Sequence, residues 1–275
     1  MTAANVRFGF AKMHGAGNDY VMVDGFDHPQ VIERGSEIAK SVSDRRFGIG
    51  SDGLITLGPS TVADVRMWMW NADGSRGAMC GNGLRMLACF ARERTRVARD
   101  GFLIETDSGV QSVTAHRDRE GRWIGARVTM PTVEIAEHSE RIATDTMSAE
   151  FWEVDVGNPH AVVLVDSDPE SLPLAELAAA LRRLARFPDG VNVELVRVDS
   201  SDTLRQRTDE RGSGETMACG SGATASAMVA MRLGRLRGPT AAVDMRGGRV
   251  LVHRIDDRHA ELEGPVVTVF RGSFG

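Results

Sequence analysis

The chain has 275 residues, enough for one large domain or two of ordinary size. Its 42% hydrophobic and 26% charged residues are ordinary for a globular protein, and 33 basic against 38 acidic side chains leave a net charge of −5. That balance argues against nucleic acid or an anionic membrane as partner, and no apolar run reaches the ~18 residues a spanning helix needs.

In chain order, "VRFGFAKM" and "YVMVDGF" read as strands on either side of a glycine block, and "EIAKSVSDRR" as a short helix. "GLITLG" and "ADVRMWMWN" read as a strand pair, rich in β-branched and aromatic residues and bounded by turn formers. A helix is expected from Gly81 towards Arg99, with Leu84, Leu87, Ala88 and Cys89 at helical spacing. Strands follow at "FLIETDSG", "VQSVTAH" and "WIGARVTM". The polar stretch from Pro131 to Glu150 reads as a connection. The pattern then restarts: strands at "FWEVDVG" and "HAVVLVD", an amphipathic helix at "LPLAELAAALRRLARF", and strands at "VNVELVRV" and "DTLRQRT". A long helix begins near Gly220, and the remainder reads as a meander of strands.

Glycine is abundant, 30 residues in all, and clusters in "HGAGND", "FGIGSDG", "CGNG", "ERGSGET" and "CGSG". Such blocks mark tight turns or close approaches of the backbone. Two of the three cysteines, Cys80 and Cys219, stand in matched C-G-x-G contexts about half a chain apart, each just ahead of a long helix. The order of strands, glycine block, helix and strands thus occurs twice. It predicts two similar α+β domains descended from a duplication.

A thiol acts as base or nucleophile through its thiolate, and a helix N-terminus favours that form. The glycines beside each thiol leave backbone N–H groups able to receive an anion such as a carboxylate. Two such thiols on one ligand would suit proton removal from one face of a carbon acid and return to the other. Buried structural cysteines, a redox pair and a zinc site are the other uses of such residues. No C-x-x-C and no paired histidine spacing accompanies them. Cys89, mid-helix, reads as a small core residue. "GIGSDG", Gly48 to Gly53, matches G-x-G-x-x-G in letters, but no buried strand precedes it and a strand, not a helix, follows. The context for dinucleotide binding is missing.

"KMHGAGNDYVMVD", "RRFGIGSDG", "NADGSRGAMCGNGLR", "GNPHAVV", "GVNVELV" and "ERGSGETMACGSGATASA" together resemble the motif set of the diaminopimelate epimerase family, in the family's order from residue 12 to residue 227. The two cysteine motifs alone would point only to the wider group of cofactor-independent amino-acid racemases and epimerases. The resemblance implies interconversion of LL- and meso-diaminopimelate, in lysine and peptidoglycan-precursor synthesis, with no pyridoxal phosphate and no metal. It implies two pseudosymmetric α+β domains, each a mainly antiparallel sheet wrapped around a central helix, with the active site in the cleft between them. The expected division is 1–118 plus 264–275, carrying Cys80, and 119–263, carrying Cys219. A homodimer is the implied assembly.

Carried over by position, Cys80 and Cys219 match the catalytic pair. Gly81 and Asn82, with Gly220 and Ser221, match donors to the reacting carboxylate. Asn18, Asn71, Asn158 and Asn192 match polar substrate contacts, and Glu210 and Arg211 match the grip on the far amino and carboxylate groups. Such a grip suits a two-ended substrate: a guanidinium pairs with a carboxylate, and a carboxylate with an ammonium. Gly53 is a departure, because many members carry Gln there. Asp209 is another, at a position where an aromatic is common. The start "MTAANVRFGFAKMHG" lacks the blocks of a secretory signal, and the chain is expected to be cytoplasmic.

Overall fold

The structure, a computed structural model, describes residues 6–275. Residues 1–5, part of the stretch read for a secretory signal, lie outside the described residues. Among the described residues, no helix is long and apolar enough to cross a membrane. The chain divides into two compact units, one running to Val128 and taking in Gly264–Gly275, the other spanning Thr129–Glu263.

In the first unit β1 (Phe8–Gly15) and β2 (Asn18–Asp24) form an antiparallel pair. Helices α1 (Pro29–Glu33) and α2 (Gly35–Ser43) follow, then β3 (Gly53–Gly58), parallel to β2, and β4 (Val65–Asn71), antiparallel to β3. Helix α3 (Gly81–Glu93) leads to β5 (Gly101–Thr106), parallel to β4, and β6 (Gly109–Arg117) and β7 (Trp123–Thr129) complete an antiparallel run. Each parallel pairing follows a helix because a parallel neighbour needs a crossover. The first unit extends past residue 118 because β6 and β7 pair, Ala115 opposite Ala126, and residue 118 lies in the turn joining them.

The second unit opens where a connection was expected. Short strands β8 (Glu134–Ile135) and β9 (Glu140–Ala143) both pair with β10 (Ser148–Asp155), through Ile135 opposite Val154 and Ile142 opposite Ala149. The polar composition reflects their exposure rather than absence of strand. Then β11 (Pro159–Leu164), α4 (Leu174–Arg182), β12 (Asn192–Val198) and β13 (Thr203–Glu210) repeat the antiparallel–parallel–antiparallel order of β1 to β4. A short β14 (Gly214–Thr216) folds back on β13. Helix α5 (Gly220–Arg232) leads to β15 (Thr240–Met245), parallel to β13, followed by antiparallel β16 (Gly248–Arg254) and β17 (Ala260–Pro265). The final strand β18 (Val267–Phe274) pairs with β1 in the first unit. Both units are thus sheet-dominated α+β folds of one strand order.

Each long helix is the centre of its unit. Residues 81–91 of α3 are all buried, and the helix packs on β1, β2, β3 and β6. Helix α5 packs in the same way on β10, β11, β12, β13, β15 and β16. Small residues on α5, including Ala223, Ala225, Ala227 and Ala230, let strands approach from several sides. A further core lies under the crossover helix in each unit, with Val31, Ile38 and Val42 in one and Leu174, Leu177 and Leu181 in the other. The helix expected to run towards Arg99 stops at Glu93. Thr95 adopts φ 57°, and the Arg96 N–H returns to the Ala91 carbonyl. Gly234, at φ 67°, closes α5 in the same manner, with Arg235 N–H on Ala230 O.

Candidate active site

Cys80 and Cys219 occupy the same structural position in their units. Each is the N-cap of the central helix, with φ −143° and ψ 118° for Cys80 and φ −123° and ψ 113° for Cys219. Each sulfur accepts the N–H of the second glycine in its motif, Gly83 or Gly222, at 3.4 Å. The N–H groups of Gly81 and Asn82, and of Gly220 and Ser221, lie in a first turn where the helix itself supplies no acceptor. The second glycines are required by space. A Cβ on Gly83 would sit 2.7 Å from Ile55 Cδ1, and one on Gly222 would sit 2.4 Å from Glu194 Oε1.

The surroundings of the two thiols differ. Beside Cys80, Asn18 Oδ1 lies 3.5 Å from the sulfur and accepts the Asn82 amide at 3.2 Å. The other end of the Asn18 amide donates to Asp52 at 2.7 Å, and Asp52 also receives Arg45 at 2.8 Å. Asn82 in turn accepts from Arg85 at 2.7 Å. Arg85 is fully buried, and burial pushes its pKa down to about 10, opposed by the negative charge that Cys80 and Cys89 can carry. The pKa of the buried Tyr20 hydroxyl is pushed well up by burial and then by Cys80 and Asp52. The "GIGSDG" segment is therefore a loop between α2 and β3 that supplies Asp52, with a strand and no helix after it.

Cys219 is buried, 5% exposed, and lies 3.4 Å from Ser221 Oγ. Burial pushes its thiol well above the ordinary value, the carboxylates of Glu210 and Glu194 push further in the same direction, and Ser221 and the Gly222 N–H oppose them. Glu210, at the end of β13, accepts from Thr216 Oγ1 at 2.6 Å. Burial raises its carboxyl pKa and Glu194 adds to the rise, against Thr216, His160 and Cys219. Asn158 Oδ1 lies 3.1 Å from His160 Nε2, and His160 Nδ1 lies 2.8 Å from Glu194 Oε1.

Of the other residues expected from sequence, Asn192 accepts the Arg211 N–H at 2.8 Å, and the exposed Arg211 guanidinium donates to Asp189 O at 3.2 Å. Asn71 ends β4, donates to Ser75 Oγ at 2.9 Å, and pairs across the strands with Gly53. At Gly53 a Cβ would sit 2.2 Å from Trp70 O, so a side chain there requires the backbone of β4 to shift. Asp209 is buried against Arg182 of α4, at 2.6 Å. Sequence reasoning missed Tyr20, Asp52, Arg85, His160 and Glu194. The one available signal was a charge inside the apolar strand "VNVELV", where an unpaired carboxylate is costly. Among the described residues, no three of His, Cys, Asp and Glu are grouped as a metal site.

The register makes the two sites comparable residue by residue. Tyr20 pairs with Gly53 and Met22 with Ile55 in one unit, His160 with Asn192 and Val162 with Glu194 in the other. Asn18 and Asn158 each stand two residues before the first of these pairs.

The diaminopimelate epimerase family profile matches residues 10–133 and 152–269. A diaminopimelate epimerase of Geobacillus thermodenitrificans is 41% identical over 281 residues, covering 97% of this chain and 96% of its own. One from Methanococcus maripaludis is 36% identical over 276 residues, covering 96% and 98%. Among solved structures, a PhzF-family phenazine biosynthesis protein from Bacillus anthracis superposes with a TM-score of 0.77 at 16% identity, covering 98% of this chain and 99% of its own. A hydroxyproline epimerase from Agrobacterium vitis gives 0.73 at 16% identity, covering 98% and 93%. At those identities the structural likeness speaks to the fold. The sequence matches extend over nearly the whole chain, and with them the chain belongs to the diaminopimelate epimerase family.

Proposed function

We propose that this chain is an isomerase that interconverts LL- and meso-diaminopimelate by two-base proton transfer, with Cys80 and Cys219 as the proton-transfer groups. The observation that carries this reading is the repeated N-cap: in each unit a cysteine caps the central helix, with N–H groups of the first turn beside it. In the resting enzyme Cys219 is the thiol, because burial and two carboxylates disfavour its anion. Cys80 is the base, at a helix N-terminus and within the field of the buried Arg85 guanidinium.

In the forward step the Cys80 thiolate takes the α-proton. Charge moves from the carbon into the α-carboxylate, where the N–H groups of Gly81, Asn82, Gly220 and Ser221 receive it. The Cys219 S–H then delivers its proton to the opposite face of the carbon. The products are the inverted amino acid, a Cys80 thiol and a Cys219 thiolate. The Cys80 S–H then has an acceptor in Asn18 Oδ1. The reverse reaction exchanges the roles. At the far end of the substrate, Glu210 takes the ammonium and Arg211 the carboxylate, with Asn71, Asn158 and Asn192 adding direction. The chemistry needs neither pyridoxal phosphate nor a metal ion, since donors already in place meet the developing charge.

A cytoplasmic enzyme of lysine and peptidoglycan-precursor synthesis, working as a homodimer, is the setting this reading gives. The test is incubation of the purified, reduced chain with LL-diaminopimelate, without added pyridoxal phosphate, followed by chiral chromatography. Meso product is expected. No meso product, or inversion of a one-centre amino acid in its place, overturns the assignment.

A further inference from the structure

Glu194 helps Glu210 keep the Cys219 proton in place, but its contact with a buried histidine has no part in that scheme. It is fully buried on β12, between Val193 and Leu195. A carboxylate in such a place is costly unless it is held by partners. Its Oε1 lies 2.8 Å from Nδ1 of His160, which is also fully buried. Its Oε2 is buried and has no hydrogen-bond partner among the described residues. Gly222 gives it room, since any larger residue there would collide with Oε1.

Counting protons fixes what this pair does. Asn158 Oδ1 faces His160 Nε2 at 3.1 Å, and a carbonyl oxygen can only accept. Nε2 therefore carries a hydrogen. On the other side of the ring one proton is shared between Nδ1 and the carboxylate, and either placement leaves the Nε2–H in place. The Asn158 carbonyl is thereby occupied, and its NH2 is the end directed away from His160. An NH2 group suits a carboxylate and repels an ammonium.

The first unit offers an internal contrast. There Ile55 stands in the place of Glu194, and Tyr20 in that of His160. The Asn18 amide is set by a different residue, Asp52, which takes its NH2 at 2.7 Å and turns its carbonyl towards Cys80 and Asn82. Two asparagines at matched positions are thus held in opposite senses.

We propose that Glu194 is a positioning residue that acts through His160 to hold the Asn158 amide with its NH2 towards a substrate carboxylate. This rests on the reading of Asn158 as a substrate contact. Glu194→Leu releases the ring and lets the amide turn. It raises KM for LL-diaminopimelate about tenfold with a smaller change in kcat. Glu194→Gln recovers most of that affinity, because its amide donates to Nδ1 and the ring keeps its Nε2–H. Asn158→Ala raises KM on its own, and adding Glu194→Leu raises it no further. If Glu194→Leu does not fold, His160→Phe, which keeps a ring without the Nε2–H, is expected to show the same KM rise and the same loss of effect over Asn158→Ala. An unchanged KM in the single variant, or a full second penalty in the double one, overturns the proposal. Nitrogen NMR of the substrate-free protein gives a readout independent of activity. The His160 Nε2–H signal is expected in the wild type and in Glu194→Gln, and a deprotonated Nε2 in the wild type overturns the proposal even if the epimerase reading fails.

Discussion

The two units place a cysteine at the same backbone position and surround it with opposite chemistry. Around Cys80 stand a phenol, two amides and a buried guanidinium; around Cys219 stand two carboxylates, an imidazole and a serine. The strand register shows where the difference enters: Tyr20 against His160 and Ile55 against Glu194 at matched points, with Asn71 and Glu210 each closing the next strand. A duplicated fold supplies two equal thiols. A few differences on the strands behind them give the two unlike settings, and at Cys219 burial with Glu210 and Glu194 favours the thiol over its anion. A single-direction proton transfer needs that inequality, since two thiolates or two thiols could not pass a proton across a carbon.

Removing either thiol is the largest break. Cys80→Ala and Cys219→Ala are each expected to lower kcat for epimerisation by about 10³-fold or more. Steady-state assays check this, and substantial activity in either variant contradicts the two-thiol scheme.

The paired glycines give the next effect. Gly222→Ala drives a Cβ into the Glu194 carboxylate and is expected to cost about 2–3 kcal/mol of stability. Gly83→Ala meets only the tip of the Ile55 side chain, which can turn away, and is expected to cost about 1 kcal/mol. Urea unfolding of the two variants measures the difference, and equal costs would mean that Glu194 yields as easily as Ile55.

Electrostatics sharpens the comparison further. The Glu210 carboxylate pushes the Cys219 thiol up, so Glu210→Gln is expected to bring its pKa down. Alkylation of Cys219 as a function of pH, in the substrate-free Cys80→Ala background, then begins at lower pH. A curve that stays in place would separate Glu210 from the tuning of Cys219. The smallest effect is expected at Cys89, which is buried with its S–H 3.2 Å from Gly125 O and its pKa pushed up to about 12 by burial. Cys89→Ala is expected to cost about 1 kcal/mol of stability and leave kcat within twofold.

The legible parts of the fold were those with local causes. Short apolar, β-branched runs such as "GLITLG" and "VNVELVRV" mark strands, and the cysteine–glycine motifs mark both helix starts, because capping is settled within four residues. The stop of α3 was not legible, since Thr95 takes a left-handed conformation with no glycine to announce it. The site was legible at the cysteines and less so behind them. Asn18, Cys80 and Asn82 come together, but Asp52 reaches Asn18 from a loop 34 residues away. His160 and Glu194 are likewise joined only by the parallel pairing of β11 and β12. Periodicity shows which face a side chain takes, not which strand lies beside it.

The central claim is that two distinct groups, one on each face of the α-carbon, move the proton. Epimerisation of protiated LL-diaminopimelate in heavy water, sampled at low conversion, tests it most directly. The account predicts meso product carrying deuterium at the inverted carbon while the recovered LL substrate stays protiated, since the Cys219 thiol, equilibrated with solvent, delivers its deuteron only to the opposite face. Deuterium entering the LL substrate as fast as the meso product, or meso product that retains the original proton, would contradict it.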